Sequence, residues 1–261
     1  MGITIGSENL NNDFKTSAEA KRQLILASFI FANEIFMEGQ GHISVRNPEN
    51  PDTFFHASSL SSEFIGMNDV MEIGLDGCVV SGHEGKKPSE ERTLHARVFA
   101  GRNDVHCVFH GCPQPLVPFY TISETQLLPV MSYGSIFHNG FAYYDASEVS
   151  GEMTVNSPDE GDNVVRTLGD KWACLIRDRG AVTCAESIPQ LALDTILLVK
   201  SAEVQLECNR LGVKPKLCTK DEAVVFRNNM HSNNSLARYW EYFAVRAIKA
   251  MSGIDDVKVQ L

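Results

Sequence analysis

Gly41-His42-Ile43-Ser44-Val45-Arg46-Asn47-Pro48-Glu49-Asn50-Pro51-Asp52-Thr53-Phe54-Phe55-His56-Ala57-Ser58 decides the fold. It contains two short strand-like stretches on either side of a Pro/Asn-rich turn. Upstream, residues 17–38 place Leu24, Ala27, Ser28, Phe31 and Ile35 at helical spacing, and Gly39 and Gly41 stop that helix. Downstream, residues 69–82 read as a strand pair across the Asp76-Gly77 turn. Pro88-Ser89-Glu90-Glu91 opens a helix to about Ala100, with acids where the helix dipole favours them. A buried strand follows over 104–110, and then an irregular, aromatic-rich segment over 111–150. Ser157-Pro158-Asp159-Glu160 caps a helix over 158–168. Strands at 172–178 and 181–184, a long helix at 187–211 and a terminal helix at about 235–251 complete the chain. Helices and strands mix without a strict βαβ alternation. The expectation is an α/β fold with a mostly antiparallel sheet covered by helices.

Residues 1–16 read as a loose arm and 17–261 as one domain. The 261 residues are 43% hydrophobic and 21% charged, enough for a real core. A formal net charge of −10 argues against nucleic acid and against an anionic membrane surface. The first 17 residues are polar, and the longest apolar runs are too short to span a bilayer, so a cytoplasmic protein is expected. Gly2 and Ser7 miss the myristoylation spacing by one place. The seven cysteines show no CxxC spacing and read as free thiols. Six of them suit core positions, with Cys112 the exception.

Three groups of residues carry chemistry. Gly41-His42-Ile43-Ser44-Val45-Arg46 puts a glycine and polar residues at a helix-to-strand junction. It is either a turn with a bonded histidine or a place where backbone approaches a ligand. Glu91, in the first turn of the Pro88 helix, is either a solvated capping acid or a general base whose pKa is tuned by a cleft. In the strand Asp104 to Cys112, alternate side chains share a face, which groups His106, Val108, His110 and Cys112 if the strand persists through Gly111. Imidazole and thiolate both suit Zn²⁺ or Fe²⁺.

Taken in order, these groups resemble the class II aldolase/adducin family. The blocks are Gly41-His42-Ile43-Ser44-Val45-Arg46, His56-Ala57-Ser58-Ser59, Asp76-Gly77, Pro88-Ser89-Glu90-Glu91 with Leu94-His95, Arg102-Asn103-Asp104-Val105, His110-Gly111-Cys112-Pro113 and Leu175-Ile176-Arg177-Asp178-Arg179-Gly180. The resemblance covers about residues 17–215, and its wording is similar to the branch with aromatic and pyridine-ring decarboxylases and aminocoumarin-pathway enzymes. It implies a three-layer α/β/α fold, a homotetramer with the pocket between subunits, and a lyase reaction. It also implies a divalent metal on three histidines, with an acid at the position of Glu91.

The ligand positions depart from that pattern. His110 is kept, but the second position is Cys112 and the third is Arg179. Arginine presents donors only and repels a dication. A bound metal would be Zn, Fe or Mn on His110 and Cys112, with His106 or His138 as a substitute ligand. Without one, Arg179 supplies the positive charge. Three readings follow: a lyase with a lost or rebuilt metal site, an Fe²⁺-dependent oxygenase, or a non-catalytic binding domain like the adducin head. Glu91, His95 and His110 favour the lyase. Its expected catalytic residues are Glu91, His110 and Arg179, with His42, Ser44, Ser58, Ser59, His95, His138 and Tyr239 around the substrate. Phosphate-binding members carry a Thr-Pro-Ser-Gly loop where this chain has His56-Ala57-Ser58-Ser59, so an unphosphorylated acid is expected. The segment Phe137-His138-Asn139-Gly140-Phe141-Ala142-Tyr143-Tyr144 is either a wall for an aromatic substrate or core packing. The aromatic terminal helix (Tyr239, Trp240, Tyr242, Phe243) suits a subunit interface, from which a tyrosine would reach a neighbour's site.

Overall fold

The computed structural model describes residues 16–34, 36–37, 39–122, 125–149 and 155–252. The expected arm, save Thr16, and the helical position Ile35 lie outside them. In chain order the elements are α1 (Ser17–Asn33), β1 (His42–Arg46), β2 (Thr53–Ala57), β3 (Val70–Gly74), β4 (Val79–Ser81), α2 (Arg92–Gly101), β5 (Cys107–Gly111), α3 (Val117–Thr121), α4 (Met131–Gly134), β6 (Ala142–Tyr144), α5 (Ala146–Val149), α6 (Pro158–Leu168), β7 (Ala173–Ile176), β8 (Gly180–Ala185), α7 (Ile188–Arg210), α8 (Lys220–Met230) and α9 (Asn233–Ser252). Among the described residues, eight strands form one sheet in the order β4-β3-β2-β1-β5-β8-β7-β6. Every neighbouring pair is antiparallel except β6–β7.

Strand alternation sorts the side chains onto two faces. Ile43, Val45, Phe55, Cys107, Phe109, Leu175 and Ala181 point to one core, which α1, α7 and α9 close. Phe31 of α1 meets Phe109 edge-on at 4.7 Å. The other face carries Phe54, Met71, Ile73, Val108, Val182 and Cys184 under Leu94, Val98 and Phe99 of α2 and Val164 and Leu168 of α6. The arrangement is the expected three layers, α/β/α.

Arg46 anchors the second layer. Its guanidinium donates to the carbonyls of Phe99, Arg102 and Val105, satisfying acceptors at the end of α2 that the helix itself leaves open. At the other end of the same face the lining is polar. His42 and Ser44 of β1, His56 of β2 and His110 of β5 lie there with His95 of α2. The register Ser44↔His56 and His42↔His110 brings them side by side.

The elements differ from expectation at particular places. The first helix ends at Asn33 rather than residue 38, and α2 begins at Arg92, so Glu91 is its N-cap residue. The 111–150 segment is not irregular throughout. It holds short helices and the edge strand β6. The polar helix α8 stands where none was expected.

Candidate active site

One end of the sheet gathers five segments around an open pocket of ≈ 600 Å³. Gly39, Gln40 and His42 come from the entry to β1, and Ser59, Leu60 and Ser61 from the exit of β2. Lys87 to Glu91 come from the approach to α2, Asn156 from the approach to α6, and Arg179 from the β7–β8 turn. That turn is held close by geometry only glycine allows. Gly180 has φ +94°, and a Cβ there would lie 2.1 Å from the Gly111 carbonyl oxygen and 2.7 Å from Cys112 Sγ. Gly41 plays the same part on the other side, its φ of +110° letting it pass the His110 carbonyl. The close approach expected at this glycine is thus to the protein's own backbone.

The centre of the site is an ion pair. Glu91 Oε2 lies 3.0 Å from His110 Nδ1 and 3.8 Å from His42 Nε2. His110 Nε2 lies 2.8 Å from the Arg179 carbonyl oxygen. Carbonyl and carboxylate oxygens both accept, so both ring nitrogens of His110 donate and the ring is an imidazolium. The electrostatics agree. Burial disfavours the His110 cation, but the Glu91 charge, its hydrogen bond and the Arg179 carbonyl outweigh burial and raise the pKa. Burial likewise works against the Glu91 anion, yet His110, with His42 and His56 beyond, brings that carboxyl down to about 2. Glu91 is the half of the pair that faces the pocket, and His110, 6% exposed, stands behind it.

The other imidazoles back this pair. Ser89 Oγ lies 3.0 Å from His42 Nε2 and accepts from the Glu91 backbone N–H at 3.2 Å. His42 lies tilted against His56 at 5.0 Å, and His56 meets His95 edge-on at 4.9 Å. Burial, followed by neighbouring imidazoles, pushes His56 and His95 well below the ordinary histidine range, so both rings are neutral. His56 Nδ1 bonds Ser44 Oγ at 2.7 Å. Among the described residues, His56 Nε2, both nitrogens of His95 and Ser58 Oγ have no hydrogen-bond partner. His56 stands in the second strand-like stretch and is not among the expected site residues. The signal for it was the strand pattern Phe54-Phe55-His56, which turns its ring to the face of Ser44.

The structure divides the expected site residues. Glu91, Arg179, His42 and Ser59 line the pocket, with His110 directly behind Glu91. Ser44, Ser58 and His95 are 0–1% exposed, so they support the pocket without reaching into it. His138 follows buried Phe137, part of the turn packed on α8, and Tyr239 stacks on Phe243; neither lines the pocket within one chain. Phe137 and Phe141 sit in the core, and Tyr144 bonds buried Glu160, so this segment forms no wall of the pocket. Trp240 and Phe243 are also core residues, which leaves Tyr242 as the exposed aromatic of the terminal helix's four. Glu90 is at the pocket rim.

The donor set for a metal ion does not assemble in this arrangement. Both ring nitrogens of His110 are already engaged, Nδ1 by Glu91 and Nε2 by the Arg179 carbonyl. Cys112 follows the end of β5, is exposed, and bonds the Tyr120 phenol, which burial and this thiol together push up. His106 lies beyond the opposite end of β5, against Arg46. Among the described residues, no three of His, Cys, Asp and Glu are grouped to hold one ion.

The signature of the Class II Aldolase and Adducin N-terminal domain spans residues 22–206, and the chain belongs to that family. The decarboxylase tropJ of Talaromyces stipitatus is 23% identical over 198 residues, covering 70% of this chain and 74% of that protein. The 3,4-dihydroxyphthalate decarboxylase of Arthrobacter keyseri is 24% identical over 203 residues, covering 76% and 82%. The solved L-fuculose 1-phosphate aldolase of Glaciozyma antarctica superposes with a TM-score of 0.74 at 19% identity, covering 97% of this chain and 95% of that one. No described helix is long and apolar enough to cross a membrane.

Proposed function

We propose that this chain is a carbon–carbon lyase, a decarboxylase or aldol/retro-aldol enzyme, acting on a small unphosphorylated hydroxy or keto acid. In this reading no metal ion takes part, and Arg179 carries the positive charge. The observation that supports it is the position of Glu91, ion-paired to His110 in the same pocket wall that presents Arg179. The kinship with decarboxylases points to the same reaction class.

The residues divide the work as follows. Arg179 faces a substrate carboxylate or the oxygen that becomes an enolate, where a guanidinium makes charge-assisted hydrogen bonds. When the C–C bond breaks, its electron pair moves onto the remaining fragment as an enolate. A proton must then reach carbon. At neutral pH the exchangeable proton rests on His110, and Glu91 relays it because Glu91 faces the pocket and His110 does not. Ser89 and His42 hold Glu91 from the other side. The assembly we propose is a cytoplasmic homotetramer, in which a tyrosine of α9 reaches a neighbouring pocket.

The test is a screen of small hydroxy and keto acids for CO₂ or aldehyde release. The expected result is turnover that EDTA leaves unchanged and that Arg179→Lys weakens, because lysine lacks the two-pronged donor. Activity abolished by EDTA, with about one Zn, Fe or Mn per purified chain, would overturn the metal-free reading.

A further inference from the structure

Proteins commonly hold phosphate esters with free backbone N–H groups, at a turn nest or a helix start, and an excess of cationic side chains. Several N–H groups of the segments flanking this pocket are already used internally. Ser58 N donates to the Asp69 carbonyl at 2.7 Å, Ser59 N to Lys87 at 3.0 Å and Leu60 N to Ser58 at 2.7 Å. At the start of α2, Glu91 N donates to Ser89 Oγ at 3.2 Å, and Thr93 N and His95 N donate to the Glu90 and Glu91 carbonyls, both at 3.4 Å.

The side chains offer at most one positive charge in excess. Lys87 and Arg179 line the pocket, and so do Glu90 and Glu91. Glu91 is already matched by His110. Glu90 is different. It lies 3.5 Å from Lys87 Nζ, and the two side chains are 68% and 76% exposed. A pair this exposed adds little to folding. Its effect falls on what approaches the pocket, because it cancels the one lysine at the rim.

We propose that Glu90 is a charge filter at the pocket mouth: paired with Lys87, it turns phosphate esters away while a single carboxylate still reaches Arg179. What is admitted rests on the small-acid reading above; what is excluded does not. A doubly charged group feels Glu90 twice as strongly as a carboxylate does, and the effect weakens as salt screens the rim.

The full-length chain separates these points by ligand-detected NMR titration, with glycolate as the carboxylate probe and glycerol 1-phosphate as the phosphate probe. The parent should bind glycolate at least about tenfold more tightly than glycerol 1-phosphate. Glu90→Gln should improve glycerol 1-phosphate binding by roughly three- to tenfold and glycolate binding only by the square root of that, about two- to threefold, as expected from one exposed charge a few ångströms from the ligand. Glu90→Lys should improve it further. Equal affinity of the parent for the two probes would overturn the filter, as would a Glu90→Lys protein that is folded by circular dichroism and gains no phosphate affinity. If glycolate fails to bind the parent, or binds Arg179→Gln equally well, the small-acid reading falls. The filter is then decided by the phosphate gain in Glu90→Lys alone.

Discussion

Among the described residues, the two short histidine–carboxylate pairs are nearly the same length and built the opposite way round. In His110–Glu91, at 3.0 Å, the imidazole is buried and the carboxylate is the accessible member, with side-chain exposures of 7% and 32%. In His231–Asp194, at 2.8 Å, the imidazole is the accessible member at 16% and the carboxylate is sealed at 3%. Asp194 belongs to α7, where Gln190 Nε2 also donates to it, and His231 caps α8. That pair fastens α8 and the start of α9 onto the core, and among the described residues no other ionisable group is seen to bond it. The first pair opens into a pocket beside His42 and Arg179. A buried acid with a surface base is a fastener. A buried base with an acid reaching into a cleft can move a proton to something bound there.

If that distinction holds, the two carboxylates respond oppositely to the same conservative change. Glu91→Gln keeps the shape and removes the titrating group, so turnover should fall by ~10²–10⁴-fold, beyond what the loss of the pair's own stability explains. Asp194→Asn should leave turnover within about twofold and cost ~1–3 kcal/mol of stability, since one partner of a buried bond is weakened. Steady-state kinetics and urea titration on both variants check this. A Glu91→Gln enzyme within about threefold of the parent removes Glu91 from the mechanism.

A second variant asks whether the turn that presents Arg179 is built for its position. Gly180→Ala combines a positive φ with a Cβ 2.1 Å from the Gly111 carbonyl oxygen. It should cost ~2–4 kcal/mol by strain and overpacking. Alanine tolerated there, with unchanged midpoint and activity, would mean the turn does not fix Arg179.

The smallest effect concerns pH. Glu91 is lowered to about 2, so its share of the pair's stability is present above the ordinary glutamate range and is lost as pH falls through about 2. His110 is raised, so its share is full below the ordinary histidine pKa and is lost as pH rises through the raised value. Relative to Glu91→Gln, the parent should therefore lose stability on the alkaline side of neutrality. A difference between the two proteins that stays constant from pH 6 to 9 would contradict this.

Much of this was legible in the sequence, because strong local signals agreed with the fold. The β1–β2 turn, the Asp76-Gly77 turn and the 158–168 helix stand where their residues put them. Phe137, Tyr143 and Tyr144 hid β6, since three residues paired in parallel at a sheet edge leave no alternation to read. Helix α8 is mostly exposed and polar, so its only sequence cue was the Thr219–Glu222 capping box. At the site, the family pattern pointed to Glu91, His110 and Arg179. It did not reveal that Ser44 and His95 are sealed behind the pocket, or that β5 ends at Gly111 and lets Cys112 leave its face. Those facts depend on cross-strand register, which single-chain spacing does not carry.

The central claim is that His110 is a cation donating from both nitrogens to Glu91 and to the Arg179 carbonyl. Long-range ¹H–¹⁵N NMR on histidine-labelled protein at pH 6.5, with His110→Gln for assignment, measures this directly. Both nitrogens of His110 should carry protons, with imidazolium shifts, while His56 and His95 stay neutral. A neutral His110 tautomer, or one nitrogen shifted by a bound metal, would contradict it.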